Sequence, residues 1–337
     1  MARAYIVAEM SANHNHNLQV ALDTVVAAKE AGADAVKIQT YTADTITLNC
    51  HKPEFMAEKG SLWDGTLLYD LYQQAYTPWE WHEAIFKKAR EVGIDCFSTP
   101  FDFTAIDFLE TLNNPIYKIA SFEITDIPLI EYAARLGKPM VISTGVATFE
   151  DIELALATCK KVGNSKITLL QCTSAYPAPI EDANLRTMQD MKSRFGVNVG
   201  LSDHTMGCDV VLAAVALGAE IIEKHFIIDR SIGGPDAAFS MNFQEFSTMV
   251  QSVRNVEKAL GTIHYSTDPW AIKGRSSCRS LYVAENMKAG DVITRVNVRS
   301  VRPGYGLSPK YLPEILGKQV NRDLKKGDRF SLDFIDE

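Results

Sequence analysis

Eight short runs rich in β-branched and other apolar residues lie between positions 5 and 225, each separated from the next by a longer stretch with apolar residues at helical spacing. The runs are 5–9, 35–39, 95–99, 117–121, 140–144, 168–172, 197–202 and 220–225. This alternation predicts parallel strands, because neighbouring parallel strands need a long helical return between them. With a last helix expected over 242–260, the eight units predict a closed (β/α)8 barrel of the α/β class; an open doubly wound sheet normally has fewer strands. Gly93 and Gly196 stand between a helical stretch and the next run, where a left-handed C-cap favours glycine. The connection after the second run, 41–77, is long for a compact domain and carries Trp63, Tyr69 and Tyr72, so a lid or a packed Ω-like loop is expected there.

The chain has 337 residues, more than the barrel alone requires. A barrel is therefore assigned to 1–260, an aperiodic linker to 261–276 and a small second domain to 277–337. That last region has short strands expected at 280–283 and 298–302, and the Lys-x-Gly-Asp turn of Lys288 to Asp291 returns at Lys325 to Asp328. Apolar residues make up 46% of the chain, enough for a large core. A net charge of −8 with no extended Lys/Arg stripe argues against a nucleic-acid partner. No stretch is long and apolar enough for a membrane span or a signal core, so a cytoplasmic protein is expected. Six cysteines without a CxxC pair indicate neither a disulfide framework nor a zinc finger; Cys172, at a strand end, is the one thiol placed near chemistry.

In such a barrel the site lies at the C-terminal ends of the strands, and there polar residues collect. Glu9 ends the first run, Lys37 and Gln39 the second, Thr99 the third and Ser143 the fifth, while Lys118 and Ser121 flank the fourth. The last three finish in Cys172-Thr-Ser-Ala-Tyr176, Ser202-Asp-His204 and Glu223-Lys-His225. Residues two apart on a strand share a face, which pairs Lys37 with Gln39, Ser202 with His204 and Glu223 with His225. Any one of these could be an ordinary ion pair across the barrel. Together they predict a pocket for a small anion bearing phosphate and carboxylate, held by lysines and hydroxyls. Two imidazoles, His204 and His225, suit a divalent cation such as Mn²⁺ with open coordination positions, Mg²⁺ and Co²⁺ being the alternatives. Asn13 and His14, on the loop after the first run, are placed at the substrate rim, and Asp236 in Gly233-Gly-Pro-Asp236 can point into the pocket.

The motifs Ala8-Glu-Met-Ser-Ala-Asn-His14, Ala35-Val-Lys-Ile-Gln-Thr40, Ser98-Thr-Pro-Phe101, Tyr117-Lys-Ile-Ala-Ser121, Gly200-Leu-Ser-Asp-His204 and Glu223-Lys-His-Phe226 together resemble the N-acetylneuraminate synthase family. Val301-Arg-Pro-Gly304 looks like the signature of its antifreeze-like (SAF, β-clip) domain. Within that family, Lys59-Gly-Ser-Leu-Trp-Asp64, Leu68-Tyr-Asp-Leu-Tyr72, Thr77-Pro-Trp-Glu-Trp-His82 and Phe239-Ser-Met241 are most similar to the pseudaminic acid branch. The resemblance implies a metal-dependent transferase that condenses phosphoenolpyruvate with 2,4-diacetamido-2,4,6-trideoxy-L-altrose. It also implies a domain-swapped homodimer, and a product used on flagellar or surface glycans.

By the same resemblance, Glu9, Lys37 and His225 are catalytic, and His204 and His225 are the metal ligands. Lys37, Thr99, Lys118, Ser121, Ser143 and Ser202 contact phosphoenolpyruvate. Gln39, Asn13, Tyr176, Asp236 and Phe239 face the sugar, with Arg302 supplied by the partner subunit. Ser174 stands where sialic acid synthases carry Asn, a departure that fits a different sugar. N-acetylmannosamine or the legionaminic acid precursor is the alternative acceptor. A non-catalytic sugar-binding or ice-binding protein is the distant alternative, and it would have no use for Glu9, two lysines and paired histidines at strand ends.

Overall fold

In the computed structural model, residues 3–265 and 268–336 are described; Met1, Ala2, Ser266, Thr267 and Glu337 lie outside the described residues, and with them parts of the regions assigned to the linker and the second domain. The eight expected runs form strands β1 (Tyr5–Glu9), β2 (Ala35–Thr40), β3 (Asp95–Pro100), β4 (Tyr117–Ile119), β5 (Met140–Ser143), β6 (Ile167–Cys172), β7 (Asn198–Asp203) and β8 (Ile221–His225). They pair in chain order, all parallel, and β1 bonds to both β2 and β8 to close the barrel. β4 is shorter than expected: Ser121 leaves the sheet in a 3₁₀ turn, Ser121–Glu123, where Glu123 N bonds back to Ala120 O at 3.2 Å.

Alternation along the strands divides the molecule into concentric layers. Ile6, Ala8, Val36, Ile38, Ile119 and Ile142 belong to the large core shared with the surrounding helices. Val7, Ala35 and Phe97 form a separate cluster, with Tyr5, Ile116 and Ile221 packed against it. Two residues further along the same strands stand Glu9, Lys37, Thr99, Lys118 and Glu223, all nearly inaccessible to solvent. The strand period therefore carries these charged side chains to the same face as the small apolar cluster, one level nearer the C-terminal rim. The helices end as their local sequence dictates. Asn17 caps Leu18–Glu30 by accepting from Gln19 N and Val20 N, and Gly93 ends Trp79–Val92 at φ 71°. The last barrel helix, Phe243–Leu260, starts in a capping box between Asn242 and Glu245.

The chain divides into two compact units, Met1–Gly261 and Thr262–Glu337. The stretch expected as an irregular linker contains the short helix Pro269–Gly274, too brief for a helical period to show in the sequence. In the second unit β9 (Ser280–Val283) and β10 (Val298–Val301) pair antiparallel over a core that includes Leu281, Val298, Ile315 and Phe330. Its two Lys-x-Gly-Asp turns close alike, Lys288 N donating to Asp291 Oδ2 at 2.6 Å and Lys325 N to Asp328 Oδ2 at 2.7 Å.

Candidate active site

The register sets the site. Glu9 lies level with Lys37 on one side and His225 on the other, Gln39 with Thr99, and Ser202 with Glu223. Lys37 Nζ stands 2.7 Å from Glu9 Oε2 and 3.7 Å from Glu223 Oε2, and donates to Thr99 Oγ1 at 3.0 Å. Lys118 Nζ donates to Ser143 Oγ at 2.6 Å and faces Glu223 Oε1 at 3.7 Å. Ser202 Oγ donates to Glu223 Oε1 at 2.9 Å, and Gln39 Nε2 to Glu9 Oε1 at 2.9 Å. Ser121 Oγ, although outside the strand, accepts from Gly145 N at 3.1 Å. A Cβ on Gly145 would come within 2.2 Å of Ser174 Oγ and 2.9 Å of Ser121 Oγ, so the backbone closes this side of the pocket where only glycine fits.

Burial and neighbouring charge push the two carboxylic acids apart. Burial raises the Glu9 pKa, a pull that Lys37 only partly offsets, and Glu223 adds to the rise. For Glu223 the same burial is outweighed by Lys118 and Lys37, which hold its pKa below the usual range. The lysines differ too. Burial lowers Lys118, whereas in Lys37 burial is overcome by Glu223 and Glu9 and the pKa stands above normal. One carboxyl that can carry a proton thus sits beside one fixed anion and two ammonium groups, which leaves the pocket attractive to a multiply charged anion.

Next to this cluster the rings of His204 and His225 lie 5.4 Å apart between centroids. His204 Nδ1 is 2.9 Å from Thr173 O, to which it donates, so its Nε2 carries the lone pair. His225 Nδ1 is buried and has no hydrogen-bond partner among the described residues, and Asp236 Oδ2 is 3.8 Å away. Burial and then the His204 charge push the His225 pKa well below its usual value, keeping the imidazole neutral. The unpartnered Nδ1 of His225, together with the Nε2 of His204 on the far side of that ring from its bond to Thr173 O, fits a divalent cation. Among the described residues no three His, Cys, Asp or Glu side chains gather into a group able to hold a metal ion. Tyr176 covers His204 at 4.3 Å between ring centroids, and Phe239 packs on His225 at 4.9 Å.

Asn13 and His14, expected at the substrate rim, are buried as deeply as Glu9 and Lys118. Asn13 Nδ2 donates to Phe226 O at 2.9 Å and Ser240 Oγ at 2.8 Å, leaving only Oδ1 without a partner. His14 Nε2 lies 3.1 Å from Thr77 Oγ1, and burial lowers its pKa to about 4. Arg302 is exposed on the second unit, at the end of β10. Glu223, singled out in the sequence only as a companion of His225, proves to be the carboxylate shared by both lysines. Glu123 was not foreseen: the residue is half-buried, its Oε2 is inaccessible and has no partner among the described residues, and desolvation raises its pKa to about 7. Its sequence signal, a single acid just past Ser121, does not differ from an ordinary turn residue.

A model of the NeuB family matches residues 24–265, and a model of the SAF domain matches residues 279–335. The chain belongs to the NeuB family. This NeuB-family chain is 47% identical to the pseudaminic acid synthase of Campylobacter jejuni, over 97% of its own length and 95% of that protein's. Identity to the N,N'-diacetyllegionaminic acid synthase of Legionella pneumophila is 37%, over 96% of this chain and 92% of that one. Among solved structures it is similar to the N-acetylneuraminic acid synthetase of Leptospira borgpetersenii in complex with citrate, with a TM-score of 0.71 and 32% identity over 81% of this chain and 90% of that one.

Proposed function

We propose that this NeuB-family enzyme condenses phosphoenolpyruvate with 2,4-diacetamido-2,4,6-trideoxy-L-altrose and water to give pseudaminic acid and phosphate. The observation that carries the reading is the ion-paired cluster of Lys37, Lys118, Glu9 and Glu223 next to the His204–His225 pair, with Glu9 in register with His225. The higher identity to a pseudaminic than to a legionaminic acid synthase supports this acceptor. Lys37 and Lys118, with the hydroxyls of Thr99, Ser121, Ser143 and Ser202, hold the phosphate and carboxylate of phosphoenolpyruvate and fix its carbon 3 against the aldehyde. Attack of carbon 3 on the aldehyde carbon leaves a cation at carbon 2, which water captures. Glu9 gives its proton to the alkoxide oxygen left on the former aldehyde carbon and takes one back from that water, and the hydroxyl-bearing carbon 2 then expels phosphate by C–O cleavage to leave the ketone. Glu223 stays ionised throughout and keeps both lysines charged and in place.

A divalent cation, Mn²⁺ foremost, would be held by His204 and His225 and would supply Lewis acidity toward the carbonyl oxygen. Gln39, Tyr176, Asp236 and Phe239 line the acceptor side. Residues 1–260 serve as the catalytic barrel. Residues 277–337 serve as the antifreeze-like cap of a partner subunit in a domain-swapped homodimer, with Arg302 reaching an N-acetyl group across the interface. The enzyme works in the cytoplasm, and its product serves flagellin or other surface glycans. Phosphate release is to be measured with the altrose acceptor, N-acetylmannosamine and the legionaminic acid precursor side by side, before and after chelation. Turnover highest with the altrose acceptor, lost on chelation and restored by Mn²⁺, is expected. Equal turnover with N-acetylmannosamine would remove the acceptor assignment.

A further inference from the structure

The long connection after β2 contains a loop closed by an antiparallel bridge between Met56 and Leu67, with Trp63 near its tip. The tip is braced from within. Trp63 N donates to Ser61 Oγ at 3.3 Å, that hydroxyl donates to Glu58 O at 2.7 Å, and Trp63 O accepts from Thr66 N at 3.0 Å. The indole leans on Tyr176 at 6.1 Å between ring centroids, and Tyr176 in turn covers His204 at 4.3 Å. Trp63 Nε1 is buried, yet among the described residues it has no hydrogen-bond acceptor. An indole N–H only donates, and a buried donor left unpaired is costly, so the group it fits is an oxygen brought by a ligand.

We propose that Trp63 is a specificity residue for the acceptor, its Nε1–H donating to the acetamido carbonyl at carbon 4 of the sugar. This rests on the acceptor reading above. Trp63 stands one ring beyond Tyr176 from His204, so it meets a group several carbons away from the aldehyde rather than the aldehyde or its neighbour. Phosphoenolpyruvate is not its ligand, because a neutral indole offers little to a multiply charged anion whose countercharges, Lys37 and Lys118, lie on the barrel floor. The faces of Trp63, Tyr176 and Phe239, the last two 5.3 Å apart between centroids, form an apolar wall suited to an acetamido methyl and to the methyl of carbon 6. An acceptor with a hydroxyl at carbon 4 lacks both that carbonyl and that methyl.

The test compares kcat/KM of the full chain for the diacetamido acceptor and for its 4-hydroxy analogue, in wild type and in Trp63→Phe, which keeps an aromatic face and deletes the N–H. The ratio of the two specificity constants is expected to fall about tenfold or more in the variant, through the acceptor KM, with the KM for phosphoenolpyruvate unmoved. Trp63→Leu, read through the same ratio, serves if phenylalanine packs badly on Tyr176. An unchanged ratio, or equal losses on both acceptors, overturns the assignment. Wild type that releases no phosphate with the diacetamido acceptor overturns the acceptor reading and this one with it; wild type that does, with an unmoved ratio, overturns this one alone.

Discussion

Glu9 and Glu223 are the same kind of residue, less than a strand apart on adjacent staves of the barrel, and their surroundings give them opposite tasks. Replacing Glu9 by Gln keeps its size and its bond to Gln39 feasible but removes the group that accepts a proton. We expect kcat to fall by roughly 10² to 10⁴ with the KM for phosphoenolpyruvate little changed, read in steady-state phosphate release. Glu123 allows a separate test on stability. Its pKa rises from 4.5 to about 7 because its carboxyl is desolvated, so between those values the folded chain keeps a proton that the unfolded chain releases. Stability from this group is therefore complete below pH 4.5 and declines as pH rises through 7, by about 3 kcal/mol in all. Glu123→Gln should abolish that decline, so urea titrations at pH 5 and pH 8 should differ less in the variant than in wild type. At the histidines, His225→Ala should remove Mn²⁺ binding seen by calorimetry while the thermal transition remains; retained binding would remove the ligand assignment.

Strands and loops impose constraints of their own. At Gly200 in β7 an added Cβ would lie 2.3 Å from Ile221 O and 2.7 Å from Leu170 Cδ2, and the first of these is backbone of the neighbouring strand. Gly200→Ala should therefore cost about 3 kcal/mol or more by forcing β7 and β8 apart, a loss visible as a lowered denaturant midpoint. Crowding at Gly145 is of another kind, because every close atom there belongs to a side chain of the pocket. Strand positions were legible from the sequence because the period of two and the flanking helical period are both strong local signals. The connection 41–77 was legible only as a long aromatic loop. Its bridge between Met56 and Leu67 depends on a contact between segments, not on a pattern within one, and the helix Leu68–Ala75 spans only about two turns.

For the whole molecule, the proposed exchange of caps between subunits makes a clear demand. If Arg302 serves the partner's barrel, Arg302→Ala and His225→Ala inactivate different parts of a shared site. An equimolar, randomly reassorted mixture of the two variants should then regain about a quarter of wild-type activity, because about half of its dimers are mixed and each of these has one barrel of two that keeps both an intact histidine and a partner's arginine. Mixtures that stay as inactive as either parent would place Arg302 in its own subunit or outside the site.

By itself the sequence determined the barrel, the motifs that place the chain in its family, and the polar residues gathered at the strand ends, because periodicity and residue type are local properties. Only the tertiary structure decided that Glu223 is shared by Lys37 and Lys118, that Asn13 bonds to Ser240 and His14 to Thr77, and that Glu123 and Trp63 hold polar atoms without a partner among the described residues. Each of those facts is a distance between residues far apart in the chain, or a count of missing partners. Neither exists until the strands are in register.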